Sequence, residues 1–259
     1  MNKSTRLVFV IGSLLLLAAI SPALPIPKLS LAPKLFHDNG TSNSTNWSGY
    51  AVTGPTGSVT SVSGSWIVPT VTGSKRTTAY SSFWVGIDGF SSNTVEQTGT
   101  DSDWQRGRPV YYAWYEFYPN PMYQISMTVR PGNIMTASVT YSGGLFTVTI
   151  TDKTTGTTFT KSSTVSGAQE NSAEWIAEAP SSYTGVLPLA NFGTVKFGQD
   201  YTAVSGTCTA KVGETTGNIG SFRTSVQEIT MVTNSGATKA LPSALSSDGT
   251  SFTVTWYHS

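Results

Sequence analysis

From Trp47 onward the sequence is a succession of short runs rich in β-branched and aromatic residues, and no window carries a long amphipathic helix. The runs are SVTSVSGSWIV, PVYYAWYEFY, QISMTVR, IMTASVTY, LFTVTITD, GTVKFG and SFTVTWY. In LFTVTITD, Phe146, Val148 and Ile150 alternate with Thr147 and Thr149. That period of two is expected where one strand face is buried and the other is wet. Clusters such as PTGS, RPGN, YSGG and KTTG break the runs at short intervals, supplying residues that suit turn backbones. Residues 141–165 read as a hairpin turning at Thr154–Gly156. Many short strands separated by turns predict an all-β fold, a sandwich of antiparallel sheets. No internal repeat or break in composition follows Trp47, so one domain is expected over 46–259.

The residues before it read differently. Lys3 and Arg6 precede the apolar run LVFVIGSLLLLAAI and the small-x-small tripeptide SPA. This order is that of a secretory signal peptide over residues 1–23, cleaved after Ala23. A fourteen-residue run is short for a membrane span, so the mature chain is expected off the membrane and outside the cell. Residues 24–45 show no strand or helix period and predict a pro-segment or linker.

Charge and cysteine content narrow the function. Only 11% of the residues are charged, with 15 basic and 14 acidic side chains. Four of the basic ones (Lys3, Arg6, Lys28 and Lys34) lie before Asp38, and the rest of the chain is weakly acidic. Nucleic acid is therefore not an expected partner, since its recognition needs clustered Lys and Arg. Cys208 is the single cysteine, excluding an internal disulfide, and it is expected in the core. The two histidines are His37 and His258. Zinc sites built from several Cys or His ligands are thereby excluded; no metal or other cofactor is expected, and the chain is taken as a monomer.

The familiar nucleophile motifs are missing as well. There is no G-x-S-x-G elbow, no Asp-Thr-Gly or Asp-Ser-Gly loop, and no phosphate-binding glycine loop. Carboxylates, amides and aromatics remain. Asp88 lies in FWVGIDG, Asp101 in EQTGTD, Glu116 in YAWYEFYP, and Glu174 and Glu178 in NSAEWIAEAP. On a strand, Glu174, Ile176 and Glu178 share one face and Trp175 takes the other. A solvated glutamate face over a core tryptophan would explain that pattern without any chemistry.

Four segments in order alter this reading. NWSGYAV (46–52), FWVGIDG followed by VEQTGTD (83–101), YAWYEFYP (112–119) and NSAEWIAE (171–178) together resemble the glutamic peptidases, or eqolisins. The resemblance runs from Asn46 to about Gly198. It implies two curved antiparallel sheets in a concanavalin-like jelly roll, and endopeptidase action on protein or peptide substrates in acid. It also implies a catalytic pair, Gln97 from EQTGT and Glu174 from AEWI. Trp47, Trp114, Glu116 and Asp88 are carried over as substrate-binding positions, and Glu178 becomes a neighbour of the pair. The chain departs from the fungal pattern in having one cysteine, a short basic pro-region and a compact loop between GIDG and EQTG.

The chemistry follows from the two side chains. A carboxyl can take a proton from attacking water and later deliver it to the leaving amine if its pKa lies near the working pH. Free Glu titrates at about 4.3, so acid suits it, and Glu174 is expected to act first as base. The amide of Gln97 keeps its N–H donors in acid and can stabilise an oxyanion. Two rivals remain: a lectin-like sugar-binding or glycoside-hydrolysing sandwich, and an inactive secreted binding protein. Glu174 and Glu178 lie about 13 Å apart along a strand, too far for the roughly 5–5.5 Å pair of a retaining glycosidase.

Overall fold

The computed structural model describes residues 36–38 and 40–259. The predicted signal peptide and the first twelve residues of the predicted pro-segment lie outside the described residues. Strands dominate, as the alternating runs require. The helical elements among the described residues are the four-residue Gln199–Thr202 and the 3-10 segment Ile219–Ser225.

The strands form two layers. In the first, the spatial order is Phe36–Asp38, Thr41–Ser44, Val226–Val232, Trp47–Thr53, Ser172–Glu178 and Ser82–Ile87, then Val95–Gln105, Arg108–Tyr118 and Tyr123–Ile125. The second runs Thr238–Pro242, Ser251–Trp256, Thr194–Gly198, Val59–Ile67, Ile134–Ser142, Leu145–Asp152 and Thr157–Ser163. Thr209–Val212 pairs with the free half of Val59–Ile67 and hairpins onto Thr215–Asn218. A bulge between Met231 and Val232 passes the chain from one layer to the other. All strand pairings among the described residues are antiparallel except Thr41–Ser44 with Val226–Val232.

The alternating apolar residues meet between the layers. Val52, Phe83, Val85, Ile87 and Trp175 from the first pack with Trp66, Met135, Val139, Val148, Ile150 and Phe197 from the second. Each sheet also sends one tryptophan hydrogen bond to the other. Trp175 donates from Nε1 to the Ser63 carbonyl at 2.8 Å, and Trp66 donates to the Thr100 hydroxyl at 2.9 Å. A buried indole N–H without a partner would lose about 1–3 kcal/mol, so these bonds fix the registry of the layers as well as filling space. Cys208 is buried in this core, as expected.

The hairpin of residues 141–165 forms with Asp152 opposite Thr157. Its outer face is a hydroxyl ladder, Thr147 to Ser162, Thr149 to Thr160 and Thr151 to Thr158, at 2.8, 3.1 and 2.9 Å. This is the threonine-rich solvent face read from the alternation.

Two expectations change. Residues 36–44 carry no alternation, yet Thr41–Ser44 is built into the first layer with Ser42 and Ser44 buried. Main-chain pairing can recruit a polar segment whose side chains give no hydrophobic signal. The face carrying Glu174 and Glu178 is also not solvated. Every residue of Ser172–Glu178 is buried, because a second apolar group covers the outer side of the first layer: Trp47, Ala51, Trp84, Trp114, Ile176 and Ile229, with others.

Candidate active site

The pairing of four strands brings together residues far apart in sequence. Glu174 lies opposite Gly86, Gly86 opposite Gln97, and Gln97 opposite Glu116. These four form one row across the outer face of the first layer. Strands lie about 4.8 Å apart, so Glu174 and Gln97 are separated by one strand, and the residue between them has no side chain. The next row on that face is Ile176, Trp84, Gly99 and Trp114, and the one after it is Glu178, Ser82, Asp101 and Tyr112. A row of carboxyl and amide groups therefore lies beside a row of indoles.

Gly86 is required by close approach. A Cβ there would sit 2.9 Å from the Trp84 ring, 3.1 Å from the Gln97 Cβ and 3.2 Å from the Glu96 carbonyl. Its absence leaves a gap between the acid and the amide. Gly86→Ala is expected to lower kcat on peptide substrates by ~10²-fold, the usual effect of displacing reacting groups by about an ångström. The same change should destabilise the fold by only about 1–3 kcal/mol, which chemical denaturation would measure.

The polar atoms of this row are unusually unsatisfied. Both carboxyl oxygens of Glu174, the Gln97 Oε1 and the Trp114 Nε1 are buried with no hydrogen-bond partner. Gln97 donates from Nε2 to the Glu116 Oε2 at 2.6 Å. Buried polar groups are normally paired, so such a cluster marks a place where a ligand's own polar groups would complete the set. A cavity of about 20 Å³ adjoins it, lined by Gln97, Glu116, Asp101, Glu178, Trp114 and neighbours including Ser82, Met122 and Pro180. That is room for roughly one water molecule. Glu174 is not among its lining residues.

Electrostatics change the expectation for Glu174. Complete burial raises its pKa well above the ordinary carboxyl value; Ser172 pulls the other way, and the like charges of Asp88 and Glu96 add smaller upward pushes. Burial thus favours the protonated form of Glu174, where the free side chain was read as a base. Sequence position alone gives no measure of that desolvation.

The other predicted residues divide. Trp114 and Glu116 line the cavity. Trp47 lies behind it, fully buried, its ring edge-on to Trp84 at 4.9 Å. Asp88 does not line the cavity. Its two oxygens accept from the backbone N–H groups of Gln169, Glu170 and Asn171 at 2.7, 2.9 and 3.0 Å, and Thr94 adds a longer bond. It thus anchors the chain entering the Glu174 strand. Asp101 accepts from the Tyr112 hydroxyl at 2.7 Å.

Glu178 is a supporting group, and not a solvated one: it accepts from Trp84 Nε1 at 2.8 Å and from the Asn46 amide at 3.4 Å. Trp84, Gly86 and Ser82 were not singled out from sequence, although all three lie in or beside FWVGIDG. Among the described residues no group of three or more His, Cys, Asp or Glu is arranged to hold a metal ion.

Comparison with known proteins matches this arrangement to one family. The peptidase A4 family model covers residues 45–242. Aspergillopepsin-2 of Aspergillus niger is 35% identical over 186 residues, 61% of this chain and 65% of that protein. The chain thus spans just under two thirds of that relative's length. The fold is similar to a crystal structure of scytalido-glutamic peptidase with a transition state analog inhibitor. There the TM-score is 0.67 with 26% identity, covering 82% of this chain and 98% of the other. Aspergilloglutamic peptidase from Aspergillus niger gives a TM-score of 0.58 with 29% identity, over 69% of this chain and 99% of that one. The four ordered segments, the two-layered β fold and a family match over most of the chain agree: the protein belongs to the peptidase A4 family, the glutamic peptidases.

Proposed function

We propose that the chain is a secreted endopeptidase that cleaves protein and peptide substrates in acid, as a monomer, using Glu174 and Gln97 with an activated water. The observation that carries this reading is the row itself, a buried, unsatisfied acid facing a buried amide across the side-chain-free Gly86. Membership in a peptidase family supports the reaction class.

Glu174 enters the cycle protonated. One carboxyl oxygen gives its proton to the scissile carbonyl oxygen while the other takes a proton from the attacking water, so the acid regenerates itself as the tetrahedral adduct forms. Gln97 donates an N–H to the oxygen that carries the developing charge. In collapse, Glu174 protonates the leaving nitrogen and receives the proton of the gem-diol hydroxyl, and the C–N bond breaks. The carboxyl ends each half as it began, and no covalent enzyme intermediate is needed. Trp114, with its Nε1 in want of a partner, and Glu116 hold the peptide on one side of the row.

Gln97→Ala tests the amide's part. Its loss should lower kcat by ~10²–10³-fold, the range found for removing one oxyanion donor, when acid-denatured protein is digested at pH ~3. Wild-type digestion rates in that variant would remove Gln97 from the mechanism. Release of sugar from glycans without proteolysis would support the lectin-like rival instead.

A further inference from the structure

We propose that Glu116 is a positioning residue whose protonation decides which end of the Gln97 amide faces Glu174. The inference rests on the dyad reading above and adds to it a group that touches Gln97 rather than the reacting atoms. In the cross-strand row, Gln97 has Glu116 on one side and the Gly86 gap, then Glu174, on the other. Whichever end of the amide Glu116 holds, the other end is left for a ligand.

In the structure Glu116 holds the nitrogen end. Gln97 Nε2 donates to Glu116 Oε2 at 2.6 Å, and Oε1 is buried without a partner. That is the arrangement an ionised carboxylate requires, because a carboxylate can only accept. It turns a carbonyl oxygen towards the place where an oxyanion would form, which is the wrong polarity for stabilising one. A protonated Glu116 reverses the bond. Its hydroxyl donates to Oε1, the amide turns over, and Nε2 presents its N–H groups to the gap. The amide of Gln97 does not titrate in this range, so the proton needed for the reversal is carried by its neighbour.

Other carboxyls stand near Glu116. Asp101 and Glu178 line the same cavity, and Glu174 stands across the row. Among the described residues no lysine, arginine or histidine lines that cavity. Crowded carboxyls disfavour one another's charged forms. Acid thus does two things here: it keeps Glu174 protonated and neutral, and it sets Gln97 as a donor.

The test is the pH profile of kcat over pH ~2–7, spanning the ordinary carboxyl range, for wild type, Glu116→Gln and Glu116→Leu. A glutamine at 116 can donate to Oε1 at every pH, so the alkaline limb of kcat should move up by about one unit or more. Leucine cannot hold either end, and kcat should fall ~10–100-fold across the profile, as for other supporting contacts. An unchanged limb in Glu116→Gln would overturn the proposal while leaving the dyad reading intact. Full activity in Gln97→Ala would overturn the dyad, and the proposal with it.

A second measurement needs no variant at position 116. The side-chain NH2 resonances of Gln97, assigned by their absence in Gln97→Ala, should titrate in the wild-type protein with the midpoint of the kcat limb. Resonances that do not move through that limb would contradict the reorientation.

Discussion

Glu174→Gln should abolish proteolysis and at the same time stabilise the fold. Loss of acid–base function lowers turnover by ~10²–10⁴-fold, and the expected result is an intact substrate after incubation at pH ~3. The stability gain has a separate origin. Glu174 is fully buried, makes no hydrogen bond and has its pKa held well above that of the unfolded chain. The folded state therefore binds a proton that the unfolded state releases first. Stability is greatest below the unfolded pKa and declines as pH rises towards the folded one. A glutamine has no proton to lose, so the difference between variant and wild type should widen from pH ~4 upward, across the range where unfolded Glu is ionised. An inactive variant with an unaltered pH–stability curve would separate the catalytic role from the buried-charge account and leave only the former.

Glu96→Gln should change stability with little effect on chemistry. Glu96 lies opposite Ile87 and Phe117, so it faces between the layers, away from the catalytic row. It is completely buried with both oxygens unpaired. Burial raises its pKa from 4.5 to about 9, helped by the charges of Asp88 and Glu170 and opposed by Thr94. Glu170 is itself pushed up, by burial and by Asp88, and Glu174 faces the same charges from the neighbouring strand.

These four acids gather where the Asp88 turn meets the chain entering the Glu174 strand. Wild type is thus expected to lose stability as pH rises from about 4.5 to about 9, the window over which the unfolded chain has ionised and the folded chain has not. Glu96→Gln should flatten that fall by at least about 2 kcal/mol. Urea unfolding at pH ~4 and ~7.5, either side of the unfolded glutamate pKa, measures it. Equal loss in both proteins would mean that Glu96 is not the titrating group.

The buried acids share one physical property. A carboxyl without a counter-charge is an inexpensive polar group when protonated and a costly one when ionised. The fold places Glu174 and Glu96 on opposite faces of the first layer, one strand apart, and each gains from the same low pH. Stability and the resting state of the catalytic acid are coupled through solvent protons rather than through contact.

Much of the fold was legible because its signals are local. The alternation in LFTVTITD and the turn at KTTG define a hairpin without reference to anything else, and Trp175 was readable as core from its place between Glu174 and Ile176. What local pattern cannot carry is strand order. The Glu174 strand lies between Trp47–Thr53 and Ser82–Ile87, and that placement alone makes Gly86 the gap between acid and amide. The same placement buries Glu178 against Trp84, where sequence suggested a solvated residue. Thr41–Ser44 escaped notice because parallel main-chain pairing, not side-chain hydrophobicity, recruits it. Asp88 was visible as a candidate, but its three hydrogen bonds to the 169–171 segment join residues some eighty positions apart and make it an anchor.

The central claim is that Glu174 and Gln97 act on the same water and carbonyl as one unit, and a double-mutant cycle tests it most directly. Measured as kcat/KM on one peptide at pH ~3, Gln97→Ala and Glu174→Gln should each lose ~10²-fold or more. The double variant should be no worse than the poorer single one by more than about tenfold, because residues that work as a unit are non-additive. Losses that multiply in full, or a single variant that digests protein at the wild-type rate, would contradict the account.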